Sequence, residues 1–272
     1  MPAEQSPGDL LRIFWCPAGP FAFLPIHAAG LYGIQPLEPG QKLSDFVVSS
    51  YIPTLSVLAP SLKPDATHRK ELRLLIVPQP SSDGQSRLPG VDTELRWIKD
   101  VVQNAPSTRT TLMESSAGTV EEVLELMQRA DWVHFACHGI QDAEYPSESG
   151  LCLADKRRLK LSDVISVSRP RGGLAFLSAC QTATGHKMLS DEAVHIAAGM
   201  LFAGYGGVVG TMWSISDRLA PRVARDVYAQ LFRKGMRPDY RDAARALHDA
   251  VGRLRDGNAS FVEWLPFIHV GL

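Results

Sequence analysis

The sequence lacks any imbalance of charge. Its 28 lysines and arginines stand against 29 aspartates and glutamates, and the formal net charge is −1. Nucleic-acid binding usually shows as a basic excess or a basic cluster, and the densest basic segments here, 156–158 and 241–245, are ordinary for a solvated surface. We therefore expect no nucleic-acid partner.

Cysteine is also scarce. The four cysteines, at positions 16, 137, 152 and 180, are too few for a disulfide scaffold. The first residues, MPAEQSPGDLL, contain no apolar segment of the kind that secretory signals have. These absences predict free thiols and a cytoplasmic or more broadly intracellular protein, and they leave a nuclear location open.

Residues 196–213 carry no charge, and glycines interrupt this stretch, four of them between positions 204 and 210. We interpret it as a buried helix, a turn and a buried strand, so we expect no membrane span. The composition is otherwise globular, with 45% hydrophobic and 21% charged residues.

From residue 72 onward, apolar runs typical of buried strands alternate with segments of helical periodicity. Strands are predicted at 72–77, 108–113, 131–137, 174–178 and 207–213, with a small hairpin at 150–153 and 158–160. Helices are predicted at 91–102, 120–130, 192–203, 220–233 and 242–255. This order favours an α/β fold, a mostly parallel sheet with helices on both faces.

The first 60 residues predict a β-rich extension of the same domain. Residues 11–16 and 21–24 flank a Pro-Ala-Gly-Pro segment and predict a hairpin, and residues 46–52 predict another strand. We expect a short helix at 53–58 and an extended segment at 264–270. Residues 1–272 are thus treated as one domain, with 1–60 as the extension and 72–272 as the α/β core.

Two predicted strands end in residues with nucleophile chemistry. The third ends at Cys-His-Gly (137–139), and the fourth leads into Ser-Ala-Cys (178–180). Reactive residues of an open parallel sheet lie at the carboxyl ends of its strands, so neighbouring strands would bring His138 and Cys180 together. Histidine favours the thiolate that attacks a carbonyl carbon, and the N–H groups of Gly139 and Cys180 could hold the oxyanion. The same pattern also fits a buried thiol beside a structural histidine.

Metal and nucleotide chemistry fit the sequence less well. On one strand, His134 and His138 lie about 13 Å apart at ~3.3 Å per residue, and Cys137 faces the other side, so one zinc ion cannot bind all three. The glycine cluster at 204–210 follows a predicted helix and precedes a strand, and Val209 replaces the third glycine of a dinucleotide motif. We predict no metal and no cofactor.

Taken in order, the motifs resemble those of CHAT domains, which belong to the caspase–separase clan and are usually fused to TPR repeats. The matching segments are 24–30 (LPIHAAG), 51–58 (YIPTLSVL), 88–94 (LPGVDTE), 133–139 (VHFACHG), 177–185 (LSACQTATG), 190–193 (SDEA), 210–217 (GTMWSISD) and 264–271 (WLPFIHVG). They cover nearly the whole chain, with Thr54 where the family's motif has serine.

The resemblance implies a caspase-like fold and a peptidase dyad, with His138 as general base and Cys180 as nucleophile. The histidine precedes the cysteine, whereas papain-like enzymes have the opposite order. The resemblance also implies a protein or peptide substrate, and a regulatory partner such as TPR repeats, of which this sequence shows none.

Three acidic residues are candidates for substrate specificity. A pocket for arginine or lysine needs a carboxylate, because a desolvated cation without a partner is costly. Asp217 follows the predicted strand 207–213, and its segment resembles the separase segment that supplies an acidic specificity residue. Asp191 and Glu192 are the alternatives, and Asp217 could instead cap a helix that begins near Arg218.

The sequence thus predicts a cysteine endopeptidase that cleaves after arginine or lysine. Two alternatives stay open. One is a CHAT module that keeps the dyad but acts by binding, and the other is an acyl hydrolase or transferase that acts on a small molecule.

Overall fold

A computed structural model of the chain describes residues 10–32, 40–59, 71–82, 84–105, 109–114, 118–140, 145, 148–167, 172–181, 191–233 and 237–272. Part of the predicted cysteine motif, residues 182–190, lies outside these described residues.

In the described part of the chain, ten strands form one sheet. They are β1 (Leu11–Trp15), β2 (Val47–Tyr51), β3 (Glu71–Pro78), β4 (Arg109–Glu114), β5 (Trp132–Ile140), β6 (Gly150–Cys152), β7 (Arg158–Lys160), β8 (Leu174–Gln181), β9 (Gly207–Thr211) and β10 (Phe267–Gly271). Their order across the sheet is β1-β2-β10-β9-β8-β5-β3-β4, and the predicted hairpin β6–β7 pairs with the end of β5. Along this order every neighbouring pair is parallel except β10 with β9.

Helices cover both faces of the sheet. They are α1 (Gly90–Gln103), α2 (Val120–Arg129), α3 (Leu161–Ser166), α4 (Asp191–Phe202), α5 (Ala220–Leu231), α6 (Ala243–Asp256) and α7 (Phe261–Trp264). Ile98 of α1, Tyr228 of α5 and Leu247 of α6 belong to the core on one face. Val123 of α2 and Met200 of α4 belong to the core on the other face. The predicted α/β fold with a mostly parallel sheet is confirmed.

The central strand β5 shows why the sequence folds this way. Eight of its nine residues are buried, because the strand has β3 and β8 as neighbours and a helical layer on each face. The helix before it, α2, is capped by Thr119, whose side chain accepts a hydrogen bond from Glu122 N at 3.3 Å. Such a cap satisfies an amide that the helix itself cannot pair.

The predicted hairpin at the N-terminus is wrong. β1 pairs in parallel with β2, and residues 19–23 form a 3-10 helix rather than a strand. Proline supplies the reason, because Pro20 has no N–H to donate to a sheet and its fixed φ suits the first turn of a helix. β1 and β2 extend the main sheet through β10 instead.

Two smaller expectations also change. The short helix expected at 53–58 is a 3-10 helix over Leu55–Leu58. The segment 264–270, expected to be extended throughout, begins with the last residue of α7 and becomes strand β10 only at Phe267.

Candidate active site

His138 and Cys180 lie on neighbouring parallel strands. In the register of β5 and β8, His138 is directly paired with Cys180, and Gly139 with Gln181. Adjacent strands are about 4.8 Å apart, so the two backbones meet at the same level of the carboxyl edge. The adjacency that the sequence analysis required is therefore present.

The imidazole of His138 is buried and has a defined orientation. The residue is 1% exposed, and its Nε2 lies 2.7 Å from the carbonyl oxygen of Ser86. A carbonyl oxygen can only accept, so Nε2 carries a hydrogen, and in the neutral ring Nδ1 is then the nitrogen with a lone pair. Among the described residues Nδ1 has no hydrogen-bond partner. It is the nitrogen available to act as a base.

The loop between β3 and α1 positions the Ser86 carbonyl. Gln79 N donates to Ala136 O at 2.8 Å, which ties the start of the loop to β5. Leu88 N donates to Pro80 O at 2.8 Å, and the Leu88 side chain belongs to a small buried apolar cluster that includes Ala136. The sequence analysis missed Ser86, because a backbone carbonyl leaves no signature in the residue type.

A buried carboxylate, Glu94 of α1, contacts both of the strands that carry the pair. Its Oε2 accepts a hydrogen bond from Ser178 Oγ of β8 at 2.9 Å. Its Oε1 lies 3.1 Å from Nε2 of His134 on β5, at an angle that departs from a well-aligned hydrogen bond. Glu94 is 2% exposed and His134 is fully buried.

His134 belongs to the same polar cluster, on the face of the sheet that α1 and α5 cover. Its Nδ1 lies 3.3 Å from the hydroxyl of Tyr228 on α5, and its ring stacks on Phe176 of β8 at 4.8 Å. Burial and, second, the negative charge of Glu94 raise the pKa of Tyr228 well above its ordinary value. The hydroxyl therefore remains protonated and able to donate.

The sequence analysis missed Glu94, although the sequence holds a signal for it. Val91, Leu95 and Ile98 form the apolar stripe of α1, and Glu94 lies on that stripe, three residues after Val91. A carboxylate in a stripe that faces the core requires a polar partner inside the protein.

The three residue types of a serine-hydrolase triad occur in this cluster, but their order is different. Ser178 donates to Glu94, whereas a catalytic serine is hydrogen-bonded to the histidine. All three residues are also enclosed, with Ser178 at 7% exposure. The cluster therefore supports the neighbouring strands and does not act as a nucleophile site.

Asp217 follows β9 and contacts the first residue of α1. Its Oδ2 accepts a hydrogen bond from Gly90 N at 2.8 Å. A Cβ atom at Gly90 would lie only 2.1 Å from the Asp217 carbonyl oxygen, so the approach requires glycine there. The helix that follows Asp217, α5, begins at Ala220 and has no side-chain cap. The carboxylate therefore lies at the N-terminus of α1 rather than at that of its own helix, a favourable position for negative charge.

The other predicted site residues lie around the same edge or on the next helix. Gly139 is paired with Leu151 of β6 on one side and with Gln181 of β8 on the other. A Cβ atom at Gly139 would meet Ala179 at an ordinary 3.8 Å among the described residues. Asp191 and Glu192 are the first two residues of α4.

The described residues contain no group of three metal-ligating side chains that could hold an ion. His134 and His138 are on the α1 side of β5, whereas Cys137 belongs to the core on the opposite face. The three residues do not converge.

Residues 196–213, the uncharged stretch of the sequence, do not form one continuous helix. These residues form the end of α4, a turn and β9. None of the helices in the described ranges has the length and hydropathy needed to cross a bilayer.

Comparison with known proteins gives a family and a fold. The family model of the CHAT domain matches residues 2–272. Solved structures with a similar fold include separase of Saccharomyces cerevisiae in complex with securin, with a TM-score of 0.53, 15% identity and 85% of this chain covered. They also include Porphyromonas gingivalis RgpB in a complex of its pro- and mature domains, with a TM-score of 0.60, 12% identity and 98% coverage. No curated protein sequence matches the chain.

The chain is much shorter than these structural neighbours. It spans 14% of the separase chain and 66% of the RgpB chain. At such low identity the likeness concerns the fold alone.

Proposed function

Because the chain belongs to the CHAT domain family, we propose that it is a cysteine endopeptidase in which His138 and Cys180 form the reactive pair. The chain has the caspase-like cysteine peptidase fold of its neighbours. One observation carries the proposal: His138 is paired in register with Cys180, and its Nε2 is bonded to Ser86 O, which leaves the Nδ1 lone pair for a thiol proton.

The proposed reaction follows from this tautomer. Nδ1 of His138 takes the proton of the Cys180 thiol, and the thiolate attacks the carbonyl carbon of the scissile bond. The N–H groups of Gly139 and Cys180 hold the oxyanion of the tetrahedral intermediate. The imidazolium then returns its proton to the amine nitrogen, the scissile C–N bond breaks, and the intermediate collapses to a thioester on Cys180. Water that gives its proton to the same nitrogen attacks the thioester and releases the acid and the thiol.

We further propose that Asp217 selects arginine or lysine before the scissile bond. It follows β9, which is parallel to the Cys180 strand β8, so it belongs to the same carboxyl edge. Its bond to Gly90 N uses Oδ2 and holds the carboxylate in place. Asp191 and Glu192, at the start of α4, are the alternative specificity residues.

The proposal includes a protein regulator. The separase structure contains securin, and the RgpB structure contains its prodomain. We propose that a regulatory protein segment, in TPR repeats or in another chain, likewise controls the access of substrates to the carboxyl edge of the sheet, where His138 and Cys180 lie.

A peptide-library assay tests the peptidase proposal. The parent is expected to cleave peptides, and Cys180→Ala is expected to abolish cleavage while the fold survives. Cys152→Ala is the matched control, since Cys152 lies on β6 outside the proposed pair. A thiol-reactive peptidyl ketone should label Cys180 selectively. Cleavage that persists in Cys180→Ala would contradict the proposal. A parent that binds proteins without cleaving them, or that hydrolyses only small acyl compounds, would support one of the two alternatives.

Asp217→Asn tests specificity with little change of shape. The amide oxygen can still accept from Gly90 N, so α1 keeps its partner while the negative charge is lost. We expect kcat/KM for arginine substrates to fall ~10²-fold, because a buried cation is left unpaired. An unchanged preference for arginine in Asp217→Asn would transfer the role to Asp191 or Glu192, which the same substitution then tests.

A further inference from the structure

We infer that Glu94 is a positioning residue for the proposed dyad: one buried carboxylate fixes the two strands that carry His138 and Cys180 and the loop that orients His138. The inference rests on the proposed function for its catalytic meaning. Glu94 itself lies outside the reacting atoms, and its contacts are with His134 and Ser178.

The first step of the argument concerns β8. Ser178 lies two residues before Cys180 on the same strand, and its hydroxyl donates to Glu94 Oε2. Two residues of a strand span about 6.6 Å, so a constraint on Ser178 limits how far the Cys180 backbone can shift.

The second step concerns β5. His134 lies four residues before His138, and its Nε2 is 3.1 Å from Glu94 Oε1. The opposite nitrogen of His134 is held near the Tyr228 hydroxyl, so the ring is restrained from both sides. The two oxygens of one carboxylate therefore contact two adjacent strands, close to the point where each reaches the carboxyl edge.

The third step concerns the loop. Glu94 belongs to the first half of α1, and the residues just before α1 include Ser86, whose carbonyl oxygen accepts from His138. The same helix begins at Gly90, which donates to Asp217. A shift of α1 relative to the sheet would therefore displace the acceptor that fixes the His138 tautomer.

Stability alone does not require a charged group here. A buried ionic or polar cluster costs desolvation energy, and apolar side chains of similar volume often stabilise a core equally well. Geometry is a better reason for the carboxylate, because the hydrogen bond from Ser178 to Glu94 fixes direction and distance, whereas apolar packing tolerates small displacements.

The test uses nitrogen-15 NMR of the imidazole of His138, which reports which ring nitrogen carries the hydrogen. The parent is expected to show the Nε2–H tautomer. Glu94→Ala should give a mixture of tautomers and lower kcat/KM about 10²-fold, the loss expected for a displacement of ~1 Å. Glu94→Gln, which keeps shape and an acceptor for Ser178, should recover most of both signals.

Two further variants make the result decisive. Ser178→Ala removes a single hydroxyl and the bridge to β8, so it serves if Glu94→Ala fails to fold. Asp131→Asn is the matched control: Asp131 accepts from Arg73 at the opposite end of β5, and its loss should lower stability without changing the tautomer of His138. A folded Glu94→Ala or Ser178→Ala with the parental tautomer and parental kcat/KM would overturn the inference.

Failure of the proposed function would look different. In the parent, the pH dependence of Cys180 alkylation by iodoacetamide reports whether His138 acts on the thiol. If His138→Ala leaves that dependence unchanged, the dyad proposal fails. The tautomer measurement on the Glu94 and Ser178 variants then still decides whether Glu94 positions His138.

Discussion

Two buried histidines in different regions of the sheet differ in the partners of their ring nitrogens, and only His138 is proposed to act as a base. His138 at the end of β5 and His269 on β10 are 1% and 2% exposed. The first donates to the Ser86 carbonyl oxygen. The second has its Nδ1 3.0 Å from Ser50 Oγ and 3.4 Å from Nη2 of Arg12. Burial is therefore the same, and the partners differ.

The other ring nitrogen of each histidine also has different surroundings. Nε2 of His269 lies close to Gly207. A Cβ atom added at Gly207 would be only 2.9 Å from this nitrogen. Nδ1 of His138 lies on the strand paired in register with Cys180. Burial and, second, the charge of Arg12 lower the pKa of His269 well below its ordinary value, so this ring is held neutral. A histidine is a candidate base because of what faces its open nitrogen, not because it is buried.

The largest expected effect separates the two histidines by activity. His138→Ala should reduce peptide cleavage by ~10³-fold or more, because the thiol loses its base. His269→Asn keeps a polar group toward Ser50 and should leave kcat/KM within about threefold while it lowers stability. Steady-state kinetics and urea unfolding of both variants provide the measurement. Equal losses of activity would remove the distinction between the two regions.

Two glycine-to-alanine substitutions compare the close contact beside Asp217 with the one beside His269. Gly90→Ala places a Cβ atom 2.1 Å from the Asp217 carbonyl oxygen, so the start of α1 and the segment after β9 must move apart. We expect a loss of about 1–3 kcal/mol in unfolding free energy and reduced cleavage of arginine peptides. Gly207→Ala meets His269 at 2.9 Å and should lower stability without changing substrate preference. A Gly90→Ala protein with parental stability and specificity would contradict the close contact.

Acidification should lower the stability of the protein through His269, and this effect is smaller than those of the substitutions above. The folded state keeps His269 neutral, whereas the unfolded state binds a proton below pH ~6.5, so stability present above this pH is lost as the pH falls. Each such histidine contributes up to ~1.4 kcal/mol per pH unit. His27 adds to the effect until the pH reaches its folded-state pKa of about 4, which burial has lowered from 6.5.

Urea unfolding at pH 7, 6 and 5 measures this slope. His269→Asn should reduce it, because one titrating group is removed. An unchanged slope in His269→Asn would mean that His269 is not held neutral in the folded protein.

The smallest expected effect is that of a chelator. The residues His134, Cys137 and His138 do not converge, so we predict that EDTA leaves cleavage unchanged. Loss of activity with EDTA and its recovery with zinc or calcium would identify a metal site and would give His138 a different role.

The sequence predicted the core of the fold because that part depends on local patterns. Long apolar runs and helical stripes placed β5, β8, β9 and helix α4 within a few residues, whereas the short helix α3 was not predicted. The same patterns could not show that residues 19–23 turn into a 3-10 helix or that β1 pairs with β2 in parallel, since strand pairing joins residues distant in sequence.

The candidate site divides in the same way. His138 and Cys180 were proposed from residue type and position at a strand end, and the register of β5 and β8 places them next to each other as expected. Ser86 acts through its backbone, and Asp217 contacts Gly90 across 127 positions of sequence, so no local pattern indicates either contact. Glu94 was detectable in principle as a charge within an apolar stripe, but its partners Ser178 and His134 were not.

The position of β10 has a consequence for the order of folding. β10 lies between β9 and β2, and Val270 pairs with Tyr51, 219 residues earlier. The neighbouring strands β3, β5 and β8 need only short-range or intermediate crossovers, so they can form during synthesis, whereas contacts of such long sequence separation form late. During translation β1 and β2 can therefore pair only with each other until β10 has been synthesised. The sheet therefore closes last at the seam between β10 and β2, which β9 and β10 separate from the strand that carries Cys180.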